Sequence, residues 1–221
     1  MFDFLDGYDL LGAFWVTVQL TVYSALGSLI WGTLLAGMKV SPVPLMRGFA
    51  TGYVNVVRNI PLTVIILFSS LGLFQTLGIT LGVSDFTDIN FRLAVLALSA
   101  YTAAFVCEAL RSGINTVPVG QAEAARALGL SFTQVLRLII LPQAFRSVVN
   151  PLSNVLIALT KNTTVASAIG VAEASYLMKG MIEKEAQLIL ISAVFAFGFI
   201  VLTLPTGLIL GWVSKKVAVK R

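Results

Sequence analysis

Apolar residues form five long stretches along the chain, and short polar segments separate them. A helix needs about 20 mostly apolar residues to cross a bilayer, so each stretch predicts one membrane-spanning helix. The second stretch has two possible starts, near Leu45 or at Pro61. The five predicted spans are approximately 10–38, 52–81, 92–113, 146–168 and 186–214. The sequence therefore predicts one all-α integral membrane domain over residues 1–221.

The polar segment 117–142, between the third and fourth spans, combines charge with helix signals. Pro118 suits the first turn of a helix, and Gly129 suits the residue that follows a helix end. Ser131 and Gln134 have the spacing of a capping box, which begins a second helix. That helix is expected to stop before Pro142. The segment is therefore predicted to be two short helices joined by a bend.

The bent segment has two interpretations. Its front, Glu123-Ala124-Ala125, places one charge beside side chains of minimal size. Such a surface would let another protein grip it closely. The alternative is a plain connector that joins two membrane helices.

Composition agrees with a membrane protein and argues against several activities. Charged residues make up only 11% of the chain, against about 25% in ordinary soluble domains. Hydrophobic residues make up 57%, and mean hydropathy is +0.93. The chain has no histidine, one cysteine and neither Gly-Lys-Ser nor Gly-Lys-Thr. These absences argue against an internal disulfide, histidine-based catalysis, a metal site and a P-loop of its own.

The distribution of charge predicts the orientation in the membrane. The formal net charge is +5, but the charges lie at the ends of apolar stretches, so nucleic-acid binding is not expected. With the N-terminus outside, the cytoplasmic side holds Lys39, Arg47, Arg111, Arg126, Arg137, Arg146, Lys215, Lys216, Lys220 and Arg221. Only Arg92, Lys179 and Lys184 then lie outside. By the positive-inside rule, the C-terminus and the segment 117–142 are predicted to be cytoplasmic.

A polar run, 160–164, interrupts the fourth predicted span. A charge inside the bilayer costs about 2.5–3.5 kcal/mol on insertion scales, so it needs a physical reason. One reason is that the run faces a wet cavity or breaks the helix, because lipid offers its backbone no partners. Lys161, Asn162 and Thr163 then line a translocation path, with Lys161 near a substrate carboxylate. The alternative is that Lys161 snorkels to the outer interface.

A second candidate is the sequence Arg58-Asn59-Ile60-Pro61. Asn59 is expected to cap a helix whose first turn contains Pro61, which implies a break at the start of the second span. If the helix instead begins at Leu45, Arg58 is a buried cation and, with Asn59, a candidate for the path. The alternative is that Arg58 anchors the helix at the cytoplasmic interface.

Glu108 and Arg111 lie three residues apart near the end of the third span, on one helical face. They are predicted to form an ion pair. Its expected role is structural, because pairing neutralises the cytoplasmic end of that span. A role in gating is the alternative.

The segment 117–142 also carries a family motif. Glu123-Ala124-Ala125 is followed after three residues by Gly129, and after nine more by Ile139-Ile140-Leu141-Pro142. This pattern resembles the EAA loop of ABC importer permeases. The resemblance implies a type I ABC importer permease fold in which 117–142 is the coupling loop.

Flanking sequences narrow the resemblance to one branch of the family. Gly120-Gln121 and the run from Pro142 to Arg146 resemble permeases for polar amino acids. The sequences Arg58 to Leu62 and Leu159 to Thr164 resemble the permeases of glutamate importers in particular. The implied function is ATP-driven import of a polar amino acid in a bacterial cell membrane, with glutamate as the first candidate. Glutamine, arginine or cystine is the alternative substrate.

The resemblance also implies partners and contact residues. The partners are two ATPase subunits, a second permease subunit that is identical or homologous, and an extracytoplasmic amino-acid-binding protein. ATP would be bound by the ATPase subunits, and no cofactor is implied for this chain. The implied contacts with the ATPase are Glu123, Ala124, Ala125, Gly129 and Leu130.

Two other classes of membrane protein have less support. An intramembrane enzyme would need paired Asp residues or a Ser/His site within the spans. All five Asp residues lie outside the predicted spans, and histidine is absent. A scaffold or passive channel would tolerate substitution in 117–142 and would not copurify with an ATPase.

Overall fold

The structure, a computed structural model, describes residues 7–217. Those residues form helices joined by short turns and contain no strand, as the all-α prediction requires. The helices are α1 (Leu10–Val40), α2 (Pro44–Asn59), α3 (Leu62–Leu67), α4 (Phe86–Ile114), α5 (Val119–Ala127), α6 (Phe132–Val135), α7 (Leu141–Asn162), α8 (Ala174–Glu185) and α9 (Leu188–Val217). Lys220 and Arg221, which the orientation argument counted, lie outside the described residues.

Within residues 7–217, three helices are each long and apolar enough to cross a membrane: α1, α4 and α9. Two bent pairs raise that number to as many as five if each pair is one span. In the first, α2 and the helix after it are bent by 103°. In the second, the helix that begins at Phe132 and α8 are bent by 56°. The five apolar stretches thus correspond to three long helices and two broken ones.

The second predicted span, 52–81, is not one continuous helix in the structure. The structure divides it, since α2 ends at Asn59 and α3 begins at Leu62. A π-helical segment continues α3 and ends at Thr76. The two possible starts in the sequence therefore mark two real helices, one on each side of the break.

The break itself was predicted, but the cap was not formed as expected. Ile60 has extended backbone angles, φ −97° and ψ 133°, as a residue before proline prefers. Pro61, not Asn59, occupies the N-cap position of α3. The Asn59 amide instead donates back to the Asn55 carbonyl at 2.7 Å. Asn59 therefore ends α2 and does not cap α3.

The third span starts earlier than predicted, because an aspartate caps it. The Asp85 carboxylate accepts hydrogen bonds from the backbone N–H groups of Thr87 and Asp88, at 2.9 and 3.3 Å. This satisfies two of the N–H groups that a helix start leaves free. Asp85 therefore begins α4.

The first half of segment 117–142 folds as predicted. Pro118 is the N-cap of α5, and Gly129 follows the end of α5 with a left-handed φ of +85°. The capping box is present, because the Ser131 side chain accepts from the Gln134 N–H and the Gln134 side chain accepts from the Ser131 N–H.

The predicted stop before Pro142 is wrong. The helix that the capping box begins continues through a π-helical segment, Leu136–Ile140, directly into α7. Pro142 falls within the first turn of α7. Proline is tolerated there because its missing N–H is not needed, and a wider π turn precedes it. One long helical element therefore connects the bend to the fourth span.

Close approaches fix α4 between α1 and α7. A Cβ atom added to Gly32 of α1 would lie 2.6 Å from the Val106 side chain and 2.8 Å from the Ala103 carbonyl oxygen. A Cβ atom added to Gly113 of α4 would overlap with Val148 Cγ2 of α7. These glycines let the helix backbones come together, as small residues do in membrane proteins.

Gly32→Ala is expected to destabilise the fold by about 1–3 kcal/mol, the usual cost of overpacking. Gly37→Ala is the matched control on the same helix, because a Cβ there meets no atom within 4 Å. Gly37→Ala is expected to stabilise the fold by about 1 kcal/mol, because alanine has a higher helix propensity than glycine. Thermal unfolding of the two purified variants in detergent measures the difference. Equal stability of the two would contradict the close packing of α1 on α4.

Candidate functional site

Helix α7 exposes a polar face. Arg146, Asn150, Asn154 and Lys161 are all exposed, and their spacing of four, four and seven residues places them on one side of the helix. Lipid leaves such groups unsatisfied, so this face requires water or another protein. The helical spacing of these four residues is visible in the sequence, but only Lys161 among them was predicted to line the path.

A cavity of about 310 Å³ lies between α4 and α7. Its wall includes Asn154 and Asn162 from α7, with Tyr101, Thr102 and Phe105 from α4. The Thr102 hydroxyl is buried and has no hydrogen-bond partner among the described residues. The volume is at the low end of the range of about 300–1,000 Å³ typical of small-molecule sites. The cavity therefore suits a small ligand with a few polar groups.

Arg58 lies beside this cavity. Its guanidinium carbon is 5.5 Å from the centre of the Phe105 ring, within cation–π distance. Phe105 also lines the cavity, so this ring connects Arg58 to the cavity wall. Asn59 is exposed, and its amide is already bonded to α2. The structure thus places Arg58 beside the cavity and leaves Asn59 apart from it.

The polar run at the end of α7 breaks the α-helix, as predicted. A 3₁₀ segment, Thr163–Ile169, replaces it. Lys161 is exposed, and Asn162 lines the cavity. Thr163 is fully buried, and its hydroxyl donates to the Thr160 carbonyl at 2.7 Å. Lys161 and Asn162 are therefore available to a ligand in this conformation, and Thr163 supports the helix break.

Glu108 is the centre of a cluster of four charges. The predicted pair is present, with Arg111 Nη2 3.1 Å from Glu108 Oε2. The structure adds Lys39 of α1, which donates to Glu108 Oε1, and Arg58 of α2, whose Nη1 is 3.9 Å from Glu108 Oε2. No local sequence pattern indicates these two partners, because they come from other helices. Three cations share one carboxylate, so the cluster carries an excess of positive charge.

The predicted ATPase-contact residues fall into two groups. Glu123, Ala124 and Gly129 are exposed, whereas Leu130 is half-buried. Ala125 is only 6% exposed, and its carbonyl accepts from the Leu130 N–H at 3.2 Å. The small side chain of Ala125 therefore serves the packing of the bend, and Glu123, Ala124 and Gly129 form its outer surface.

Two features of this segment were missed. Leu128, at the tip of the bend, is 82% exposed, the kind of apolar anchor that a partner buries. Gln143 of α7 donates to the Gln121 side chain at 2.6 Å, which ties α5 to the fourth span. This bond joins α5 to the helix that carries the polar face.

Glu173 is a further polar residue that was not identified. It is fully buried and caps α8, since its carboxylate accepts from the Ser175 and Tyr176 N–H groups, both at 2.9 Å. The hydroxyl of Thr17 in α1 accepts from the Ala174 N–H at 3.1 Å. These bonds attach the start of α8 to the first span.

Comparisons with known proteins place these features in context. A family model described as "binding-protein-dependent transport system inner membrane component" matches residues 28–219. The "glutamate transport system permease protein GluC" of Corynebacterium efficiens is 60% identical over 220 residues, covering 97% of this chain and 96% of that protein. The "glutamate/aspartate import permease protein GltK" of Escherichia coli O157:H7 is 32% identical over 203 residues, covering 92% and 91%.

A solved structure has the same fold. It is described as the crystal structure of an amino acid ABC transporter with histidines. The two chains superpose with a TM-score of 0.83 at 28% sequence identity, over 94% of this chain and 93% of that one. The bent helix pairs and the long α4 are therefore arranged as in a membrane transporter.

Proposed function

The chain belongs to the family of binding-protein-dependent transport system inner membrane components, and we propose that it forms the translocation path of an ATP-driven importer of glutamate. As a member of that family it is a permease subunit of an ABC transporter and not an enzyme. The observation that carries the substrate is the 60% identity, over 97% of the chain, to a glutamate transport permease.

The charges around the cavity support an acidic substrate. Arg58 lies beside the cavity wall, and Lys161 is exposed next to Asn162, which lines it. Cations favour a ligand with two carboxylates over one with a single carboxylate and an amide. In the proposed arrangement, Lys161 and Arg58 attract the carboxylates, and the amide oxygens of Asn154 and Asn162 accept from the ammonium group.

The proposed assembly contains two ATPase subunits, a second permease subunit and an extracytoplasmic binding protein. The N-terminus lies outside the cell and the C-terminus inside, which places the bend at Gly129 on the cytoplasmic side. Glu123, Ala124, Gly129 and Leu130, together with Leu128, form the surface that docks on an ATPase. The second permease lies opposite the polar face of α7 and encloses the path between the two subunits, since that face is exposed in a single chain.

The proposed mechanism follows from the connection between α5 and α7. ATP binds to the ATPase subunits, and their closure moves the docked α5. The Gln121–Gln143 hydrogen bond and the continuous helix from Phe132 carry that motion into α7. Rotation or tilt of α7 exposes its polar face to one side of the membrane and then to the other, as alternating access requires.

Transport by the reconstituted complex tests this function. The chain is purified with its ATPase and placed in liposomes with ATP inside and the binding protein outside. We expect ATP-dependent accumulation of labelled glutamate, with unlabelled glutamate competing more strongly than glutamine or arginine. Accumulation of glutamine or arginine but not glutamate would overturn the substrate. A lack of any associated ATPase would overturn the transport mechanism.

A further inference from the structure

We propose that Glu108 is a placeholder carboxylate, which holds Arg58 while the path is empty and gives it up to the side-chain carboxylate of an acidic substrate. This inference rests on the proposed function, because it concerns how the same path selects its substrate. It assigns Glu108 a part in specificity, beyond the structural pairing with Arg111.

The three cations around Glu108 are not held equally. Lys39 donates a hydrogen bond to Oε1, and Arg111 donates one to Oε2 at 3.1 Å. Arg58 is 3.9 Å from Oε2, which is beyond hydrogen-bond distance. Arg58 is therefore the partner that leaves most easily. Its departure leaves Glu108 with two hydrogen-bonded cations, so no carboxylate is left buried without a partner.

Besides Glu108, Arg58 contacts an aromatic ring of the cavity wall. Its side chain is 45% exposed, and its guanidinium lies over the Phe105 ring. Phe105 lines the cavity that also contains the amide of Asn162 and the Thr102 hydroxyl, which has no hydrogen-bond partner within residues 7–217. The Phe105 ring therefore connects Arg58 to the cavity wall, and rotation of the long, flexible arginine side chain is the proposed route from Glu108 to a ligand.

The excess of positive charge gives this exchange its direction. Lys39, Arg58 and Arg111 bring three positive charges to one negative charge, so positive charge is in excess while the path holds no substrate. An incoming carboxylate reduces that excess, and an amide does not. Glutamine has nearly the shape of glutamate but lacks this carboxylate, so it does not displace Glu108 from Arg58.

The test is equilibrium binding of labelled glutamate to the purified permease–ATPase complex, with glutamine as a competitor. In Glu108→Gln the competing carboxylate is absent, and Arg58 is free. We expect the Kd for glutamate to fall about tenfold relative to wild type, with little change for glutamine, because one charged contact no longer has to be given up. A ratio of glutamate to glutamine affinity that is unchanged in Glu108→Gln would overturn the exchange.

Three further variants separate this role from a structural one. Glu108→Asp keeps the charge and shortens the side chain, which weakens the longest contact first, so a smaller shift in the same direction is expected. It also covers the case in which Glu108→Gln fails to fold. Arg111→Gln removes the other cation on Glu108 Oε2, so the carboxylate should hold Arg58 more tightly and the ratio of glutamate to glutamine affinity should fall, opposite to Glu108→Gln. Arg58→Gln should abolish the preference for glutamate over glutamine, and a preference that survives would overturn the proposal.

Failure of the proposed function gives a different result from failure of this inference. If wild type binds and transports no acidic amino acid, both are overturned. If wild type binds and transports glutamate but the affinity ratio does not respond to Glu108→Gln or Glu108→Asp, only the placeholder role is wrong.

Discussion

Gly129→Asp is expected to abolish glutamate uptake and the stimulation of ATP hydrolysis by substrate. Gly129 is exposed at the bend, and a Cβ atom there meets nothing within 4 Å. Asp tolerates the left-handed φ of +85° better than most residues, so the chain should fold and insert. The new carboxylate then lies on the surface that docks on the ATPase. A loss of at least about 2 kcal/mol, a hot-spot effect, weakens that contact roughly 30-fold.

Gly82→Asp is the matched control. Gly82 is also exposed, has a φ of +81° and has no atom within 4 Å of an added Cβ. It lies in the turn before α4, away from the bend at Gly129. Copurification of the ATPase, ATP hydrolysis and uptake are measured for both variants. Normal uptake in Gly129→Asp would contradict docking at this surface, and loss of uptake in both would indicate a general defect.

Ala125→Asp tests a different property, although the family resemblance implies the same ATPase contact for Ala125 and Gly129. Ala125 is 6% exposed and lies within the bend, so a carboxylate there disturbs the loop itself. Burying an unpaired charge is among the most destabilising of substitutions. Loss of uptake in Ala125→Asp is therefore expected, but it does not identify a docking surface. At Gly129, by contrast, a substitution can weaken docking on the ATPase without disturbing the packing of the loop.

Lys161→Ala is expected to raise the KM for glutamate by about 10- to 100-fold. A hydrogen bond to a charged group is worth about 1.5–3 kcal/mol, and each 1.4 kcal/mol changes affinity tenfold. Lys161 is exposed at the end of α7, next to Asn162 in the cavity wall. Uptake is measured over a range of glutamate concentrations, so that KM and maximal rate are obtained separately.

Two controls distinguish binding from anchoring at the membrane interface. Lys161→Arg keeps the charge and should retain most of the affinity. Lys184→Ala removes an exposed lysine from α8, away from the polar face of α7, and should leave KM unchanged. An unchanged KM in Lys161→Ala, with reduced amounts of inserted protein, would mean that Lys161 only anchors the helix.

Local signals predicted much of the secondary structure. The capping box at Ser131 and Gln134, the left-handed Gly129 and the break before Pro61 all appeared as expected. Each depends on residues within four positions of one another, so propensity and local hydrogen bonding decide it. The prediction was wrong where one local signal allows two outcomes. Pro142 suggested a helix stop, but its place in the first turn of α7 lets the helix continue.

The charged cluster depends on distances that no local pattern contains. Glu108 and Arg111 are neighbours on one helical face, and their pairing was predicted. Lys39 is 69 residues from Glu108 along the chain, and only the close packing of α1 on α4 brings the two together. Arg58 reaches the same carboxylate because the break at Pro61 ends α2 beside α4. A charge that is removed from water needs an oppositely charged partner, and the helices that pack against it supply that partner. The partners of Glu108 therefore depend on the fold.

The amino-acid sequence by itself determined that the chain is a bundle of membrane helices with a bent, charged segment between the third and fourth. Hydrophobic length and charge position are properties of consecutive residues, and the bilayer acts on them directly. The tertiary structure decided which polar residues face a cavity, which ones form hydrogen bonds within their own helix, and which cations pair with Glu108. Those outcomes depend on how close two helices come, and Gly32 and Gly113 set that distance by the absence of a side chain.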